Sequence, residues 1–227
     1  MNWVESVKEQ GFAVIPTVIG RCDVEPLLDE LSGTDLPRSR AGVRHAMRIR
    51  AVLEIALRTP LLEMAREILG RRAFPFRATL FDKSPTANWL VVWHQDTALP
   101  LRERRETPGW GPWSVKDGVN YAHAPASALE QVVALRVHLD DSTSENGPLR
   151  VLPATHTSGV LTDDQIHELS EKAAEVQCLV PLGGVLAMSP LIVHASSKSR
   201  KNMPRRVLHI EFAGVHEFSC GLELAVT

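Results

Sequence analysis

Apolar residues recur at helical spacing up to about residue 70; beyond 75 they alternate or cluster in short blocks of strand length. Residues 2–10 place Trp3, Val4 and Val7 on one side of a short amphipathic helix that Gly11 ends. Phe12–Pro16 reads as a strand, and Asp23 as the cap of a helix to about Leu31, closed by Ser32-Gly33. Residues 34–46, with Pro37 and Gly42, read as a polar loop. Two helical patterns lie between Arg48 and Gly70 and meet at Thr59-Pro60, where Thr caps and Pro fits a first helical turn.

The strand-like half begins with Phe76–Lys83 and Trp89–His94. A Pro- and Gly-rich stretch from Thr97 to Ala128, holding Trp110 and Trp113, reads as a long loop packed as a lid. Strands are expected over Glu130–Asp140 and Leu149–Pro153, separated by a turn at Glu145-Asn-Gly-Pro148. A helix from Thr162/Asp163 to about Ala174 precedes Cys178–Val180, Val185–Met188, Leu191–His194 and Arg205–Ala213. Helices followed by many short strands predict a mainly β fold, a jelly roll or barrel with helices packed on one sheet.

Two strands show which face is which. Val133, Leu135, Val137 and Leu139 alternate with Arg136 and His138; Leu208, Ile210 and Phe212 alternate with Arg205, His209 and Glu211. An apolar face under the helices and a polar face toward a cavity account for both. The polar inner face (Arg136, His138, His209, Glu211) suits a polar or charged small-molecule substrate.

Composition narrows the class. At 227 residues, with 44% hydrophobic and 23% charged positions, the chain suits one domain over 1–227 with a full core. A net charge of −2 gives no footprint for nucleic acid. Cys22, Cys178 and Cys220 form no paired or CxxC pattern, as expected of reduced thiols. No signal-peptide pattern and no membrane-length apolar run is present, so a soluble, cytoplasmic protein is expected; the pattern carries no oligomerisation signal.

The candidate chemistry centres on Trp93-His94-Gln95-Asp96. Side chains two apart on a strand point the same way, so His94 and Asp96 share a face. His94 and His194 both end apolar runs, where a buried imidazole needs a partner that a metal can supply. Two histidines and one carboxylate leave part of a metal's coordination sphere open, the arrangement of non-haem Fe(II) oxygenases.

Trp93-His-Gln-Asp96, Leu139-Asp-Asp-x-x-x-Glu-Asn-Gly-Pro-Leu149, Val151-Leu-Pro-Ala-Thr-His156, His194 and Arg205 resemble, in order and spacing, the phytanoyl-CoA dioxygenase (PhyH) family over roughly residues 10–215. The resemblance implies a double-stranded β-helix, or cupin-like jelly roll, with Fe(II), 2-oxoglutarate and O2. It implies iron ligands His94, Asp96 and His194, with Arg205 and Ser196 holding the far carboxylate of 2-oxoglutarate. A guanidinium suits that role because its fork binds carboxylates bidentately. Thr79 and Arg136 fall where the family places further co-substrate contacts; Arg136 replaces a frequent aromatic, leaving its role open between co-substrate, substrate anion and buried ion pair. Lys83, Asn88, Trp113, His138 and His209 are expected in the substrate pocket, and His156 in a structural turn.

The implied activity is hydroxylation of an unactivated C–H bond of a small organic substrate, with release of succinate and CO2. Related halogenases carry a small residue where Asp96 stands, so the intact carboxylate favours hydroxylation or desaturation. Alternatives are a cupin-like metal enzyme that does not use 2-oxoglutarate, or a jelly roll that binds a small ligand without turnover. No site for coenzyme A is recognisable in the chain.

Overall fold

The computed structural model describes residues 2–33, 38–39, 42–83, 87–201 and 203–227. The chain opens with α1 (Trp3–Gln10), β1 (Phe12–Ile15) and α2 (Arg21–Ser32). Two short strands, β2 (Arg38–Ser39) and β3 (Gly42–Val43), precede α3 (Arg50–Ala56) and α4 (Thr59–Leu69). Then come β4 (Phe74–Lys83), β5 (Val91–His94), β6 (Ala98–Leu101), β7 (Trp113–Lys116), β8 (Val119–His123) and the single turn α5 (Ala126–Leu129). The remaining elements are β9 (Val132–His138), β10 (Leu149–Val151), α6 (Asp163–Lys172), β11 (Val176–Cys178), β12 (Val185–Met188), β13 (His194–Ser196) and β14 (Arg205–Ala213).

Local chemistry sets the helix starts. Asn2 and Glu5 form a reciprocal cap on α1, and Thr162 and Gln165 do the same for α6. α2 begins before the expected Asp23: that residue lies in the first turn, and its carboxylate accepts the Gly20 N–H. Likewise Thr59 is the first residue of α4 and Arg58 the cap, because Pro60 tolerates the first turn.

A seven-stranded sheet, β1-β12-β9-β14-β4-β3-β2, faces a four-stranded sheet, β11-β10-β13-β5, with every pairing antiparallel. This is the double-stranded β-helix with helices on the larger sheet. The alternation in β9 and β14 explains it: Leu135, Val137, Leu208, Ile210 and Phe212 pack under Leu27, Val52, Leu61 and Met64 of the helices. The opposite face turns into the space between the sheets. One end of that space is apolar, with Ala134, Leu149, Val151, Leu186, Met188 and Ile192. The other end receives the polar side chains of β4, β9 and β14.

Residues 97–128 do not form a long irregular loop. They contain the three-stranded ribbon β6-β8-β7, joined to the C-terminal tail through a Leu101–Leu224 bridge. Asp117 and Gly118 turn β7 into β8 at φ 50° and 80°, the positive-φ pair that a two-residue hairpin requires. Trp110 packs in the cluster below the ribbon with Leu99, Ala122 and Phe218. The loop expected over 34–46 lies partly outside the described residues; its described part includes β3, which pairs with β4 through Val43 and Leu80.

The Glu145–Pro148 turn is tied to β13. Asn146 is buried, accepting the Thr143 N–H and donating to the Asp141 carbonyl. Gly147 has φ 69°, and a Cβ there would stand 2.3 Å from the Ser197 carbonyl oxygen. Gly147→Ala should therefore destabilise the fold by about 1–3 kcal/mol, read as a lower urea midpoint with unchanged slope. An unchanged midpoint would show that the turn does not bear on β13.

Candidate metal and co-substrate site

His94 and His194 stand directly opposite each other in the β5–β13 pair. Their rings lie 4.3 Å apart between centroids. Asp96 follows β5, held by its N–H donating to the Pro190 carbonyl at 2.9 Å. Its carboxylate oxygens lie 3.6 Å from Nε2 of His94 and 3.5 Å from Nε2 of His194. All three potential ligand atoms fall within 4.8 Å of one another, a span one metal ion can bridge.

Each imidazole is oriented from behind. His94 Nδ1 bonds the Val92 carbonyl and His194 Nδ1 the Ile192 carbonyl, both at 2.9 Å. A carbonyl can only accept, so Nδ1 carries the proton and Nε2 presents its lone pair to the triad. Burial lowers the pKa of His194 to about 4 against the pull of Asp96, which keeps this ring neutral and able to ligate. Burial works against ionised Asp96, but the two histidines hold its carboxyl well below the usual range.

Gln95 lies between His94 and Asp96 and carries no expectation from the sequence pattern. Its side chain points to the opposite face, is buried, donates to the Gly159 and Leu191 carbonyls and accepts the Leu161 N–H. It thereby clamps the end of β5 to the segment entering β13. The available signal was alternation: an amide between two same-face ligands must turn into the core and needs partners there.

Two cavities meet at the triad, sharing Asp96 and Phe81. The inner one, about 80 Å3, is lined by His94, His194, Lys83, Arg136, Ser196 and Arg205 among others. Lys83, Arg136 and Arg205 are all buried, and none forms an ion pair among the described residues. Nε and Nη1 of Arg205 and Nε of Arg136 have no hydrogen-bond partner. Lys83 donates to Ser196 Oγ at 3.0 Å and to the Ser197 carbonyl. Burial, then Arg205 and Arg136, bring the Lys83 pKa down to about 7; burial and Arg136 bring Arg205 down to about 9. Buried unpaired cations are costly, and an anion in this cavity would relieve that cost.

The outer cavity, about 300 Å3, is lined by Thr79, Thr97, Tyr121, His123, His209 and Glu211 among others. Glu211 is held bidentately by Arg77, which also donates to the Ala98 carbonyl at 2.8 Å.

The sequence-predicted residues therefore separate. Arg205, Ser196, Arg136 and Lys83 line the inner cavity; Lys83, expected beside the substrate, stands with the residues expected to hold the co-substrate. Thr79, expected beside the co-substrate, lines the outer cavity with His209, because Phe81 stands between the two spaces. Arg136 forms no ion pair with a carboxylate among the described residues; it donates to His209 Nδ1 at 2.9 Å and lies over the Phe81 ring. His138 is buried with neither ring nitrogen bonded and lines neither cavity. Asn88 makes a two-way bond with the Ser199 backbone, and Trp113 packs below the ribbon, so neither reaches either cavity. His156 bonds the Lys8 carbonyl and stands outside the triad. Arg206, on the other face of β14, is taken by Asp140.

A jelly roll with a two-histidine, one-carboxylate triad at one end of its interior is the framework of non-haem metal oxygenases. The sequence profile of the phytanoyl-CoA dioxygenase (PhyH) family matches residues 7–207, and the chain belongs to that family. It is 26% identical over 178 residues to L-proline trans-4-hydroxylase of Streptomyces griseoviridis, covering 67% of this chain and 59% of that protein. EctD from S. alaskensis with bound Fe superposes with a TM-score of 0.70 at 18% identity, covering 98% of this chain and 78% of that one. HygX from Streptomyces hygroscopicus with nickel and 2-oxoglutarate bound gives 0.67 at 17%, covering 93% and 85%. AviO1 from Streptomyces viridochromogenes gives 0.66 at 21%, covering 93% of both chains.

Gln95→Leu strands two carbonyls and one N–H. It should cost about 2–4 kcal/mol of stability and weaken metal binding by about 10–100-fold, read by urea unfolding and calorimetric Ni(II) titration. Wild-type metal affinity in this variant would remove Gln95 from the site's support.

Proposed function

We propose that this protein is an Fe(II)- and 2-oxoglutarate-dependent dioxygenase that hydroxylates a C–H bond of a small organic molecule. The observation that carries the reading is the pairing of an oriented His94/Asp96/His194 triad with an adjoining pocket of buried, unpaired cations. Two imidazoles with Nε2 aimed at one carboxylate fit Fe(II), and the excess positive charge of the inner cavity fits a dicarboxylate. Family membership and the hydroxylase relative point the same way.

His94, Asp96 and His194 would hold the iron; Arg205, Ser196 and Lys83 would hold the far carboxylate of 2-oxoglutarate. Bound together, iron and 2-oxoglutarate supply an oxidation in which one oxygen atom of O2 enters the substrate C–H bond and the other enters succinate, with carbon 1 leaving as CO2. The protein's contribution is placement. Val92 and Ile192 aim the imidazoles, Gln95 fixes the spacing between ligands, and Phe81 separates the two cavities. No described helix is long and apolar enough to cross a membrane.

Anaerobic addition of Fe(II) and then 2-oxoglutarate should give the weak visible band of a chelated 2-oxo acid, and Arg205→Ala should lose it at matched concentrations. Bound Fe(II) with no such band would favour a metal enzyme that does not use a 2-oxo acid.

Lys83 supplies a pH test. Below about pH 7 it is already charged; above that value, binding a dianion must take up a proton. Affinity for 2-oxoglutarate should therefore fall as pH rises above 7, by about tenfold per unit. Lys83→Met should bind more weakly at low pH and lose that slope. A flat wild-type profile would remove Lys83 from the co-substrate site.

A further inference from the structure

The outer cavity has a charge pattern that the metal and co-substrate do not use. At its inner end, Arg77 and Glu211 offset each other, so that end offers no free cation. At its mouth stand Arg44, beyond β3, and Lys116, at the end of β7. Both are exposed, and neither has an acidic hydrogen-bond or ion-pair partner among the described residues. Lys116 lies 5.0 Å from the centre of the Tyr121 ring and lines the same cavity as Arg44, and burial, then Arg44, lowers its pKa.

His45 is the second observation. It is buried, lines the same cavity, and neither ring nitrogen has a hydrogen-bond partner. Its nearest acid, Asp117 at the hairpin tip, stands 3.5 Å from Nε2. Burial, then Arg48, lowers its pKa, so it is a neutral ring able to donate at one nitrogen and accept at the other. A buried imidazole facing a cavity without a hydrogen bond at either nitrogen costs free energy unless something in the cavity bonds it.

We propose that the outer cavity binds a small carboxylic acid as the substrate, its carboxylate at the mouth between Arg44 and Lys116, its polar body bonded by His45, and its reacting carbon at the Asp96 end. This rests on the dioxygenase reading and names the substrate class for it. A single carboxylate matches the available charge, since Arg44 and Lys116 beside Asp117 leave one net positive charge, partly screened by solvent. A coenzyme A thioester carries several more negative charges than Arg44 and Lys116 can offset, and the cavity of about 300 Å3 suits a body of amino-acid size.

The test is binding, with the inner cavity already filled. Protein loaded with redox-inert Ni(II) and saturating 2-oxoglutarate is titrated calorimetrically with proline, cyclopentanecarboxylate and phenylacetate, each beside its primary amide, and with a phosphate monoester. At least one acid should bind about tenfold or more tightly than its amide. Arg44→Gln/Lys116→Met should erase that preference, and His45→Phe should weaken both members of the pair. Arg44 and Lys116 are exposed, so the double variant should keep the wild-type melting temperature. Equal affinity of acids and amides, binding of neither, tighter binding of the phosphate ester, or a preference that survives the double substitution would each overturn the proposal. Failure of 2-oxoglutarate to bind the nickel-loaded protein would instead sink the dioxygenase reading, and that is measured before any acid is added.

Discussion

The β5–β13 register is the constraint on which the site depends. His94 and His194 face each other because these two strands pair at those residues, and a slip of one position would turn one imidazole to the opposite face. Backbone pairing alone is a weak guarantee over strands of four and three residues. Cross-links from outside the ladder reinforce it: Asp96 N–H to Pro190, and Gln95 to Leu191, Gly159 and Leu161. The motif is thus two candidate ligands with a hydrogen-bonded brace between them.

The interior between the sheets is divided by charge. Apolar side chains fill one end, while the other gathers Lys83, Arg136 and Arg205 without ion-pair partners among the described residues. Such a cluster works against folding, and the apolar face of β9 and β14 under the helices is where compensating stability lies. The larger sheet therefore has two jobs on two faces. Leu208 and Ile210 anchor the helical layer, while Arg205 and His209, from the same strand, face the cavities.

Much of this could be read from residue order. Alternation in β9 and β14 separated the helix side from the cavity side, and His94, Asp96, His194 and Arg205 stood out as a set. The hairpin at Asp117-Gly118 was also written in the chain, but the prolines and glycines around it gave the stretch the look of a loop. The division between inner and outer cavities was not legible. Thr79 and Lys83 share a face of β4, and only Phe81, projecting between them, puts one beside the outer space and the other beside the inner. His45 was equally hidden, because its significance lies in the partners it lacks. Asn88 and Trp113 went astray for the opposite reason: both satisfy local backbone or packing needs that spacing cannot reveal.

The ribbon of β6, β7 and β8 pairs within itself and with the C-terminal tail, not with the strands that carry the triad or the inner cations. Lys116, Tyr121 and His123 all reach the outer cavity from it. The triad and one wall of the outer cavity are thereby carried by separable pairings of one chain. Exchanging the hairpin would reshape that wall while leaving the register of His94 against His194 untouched.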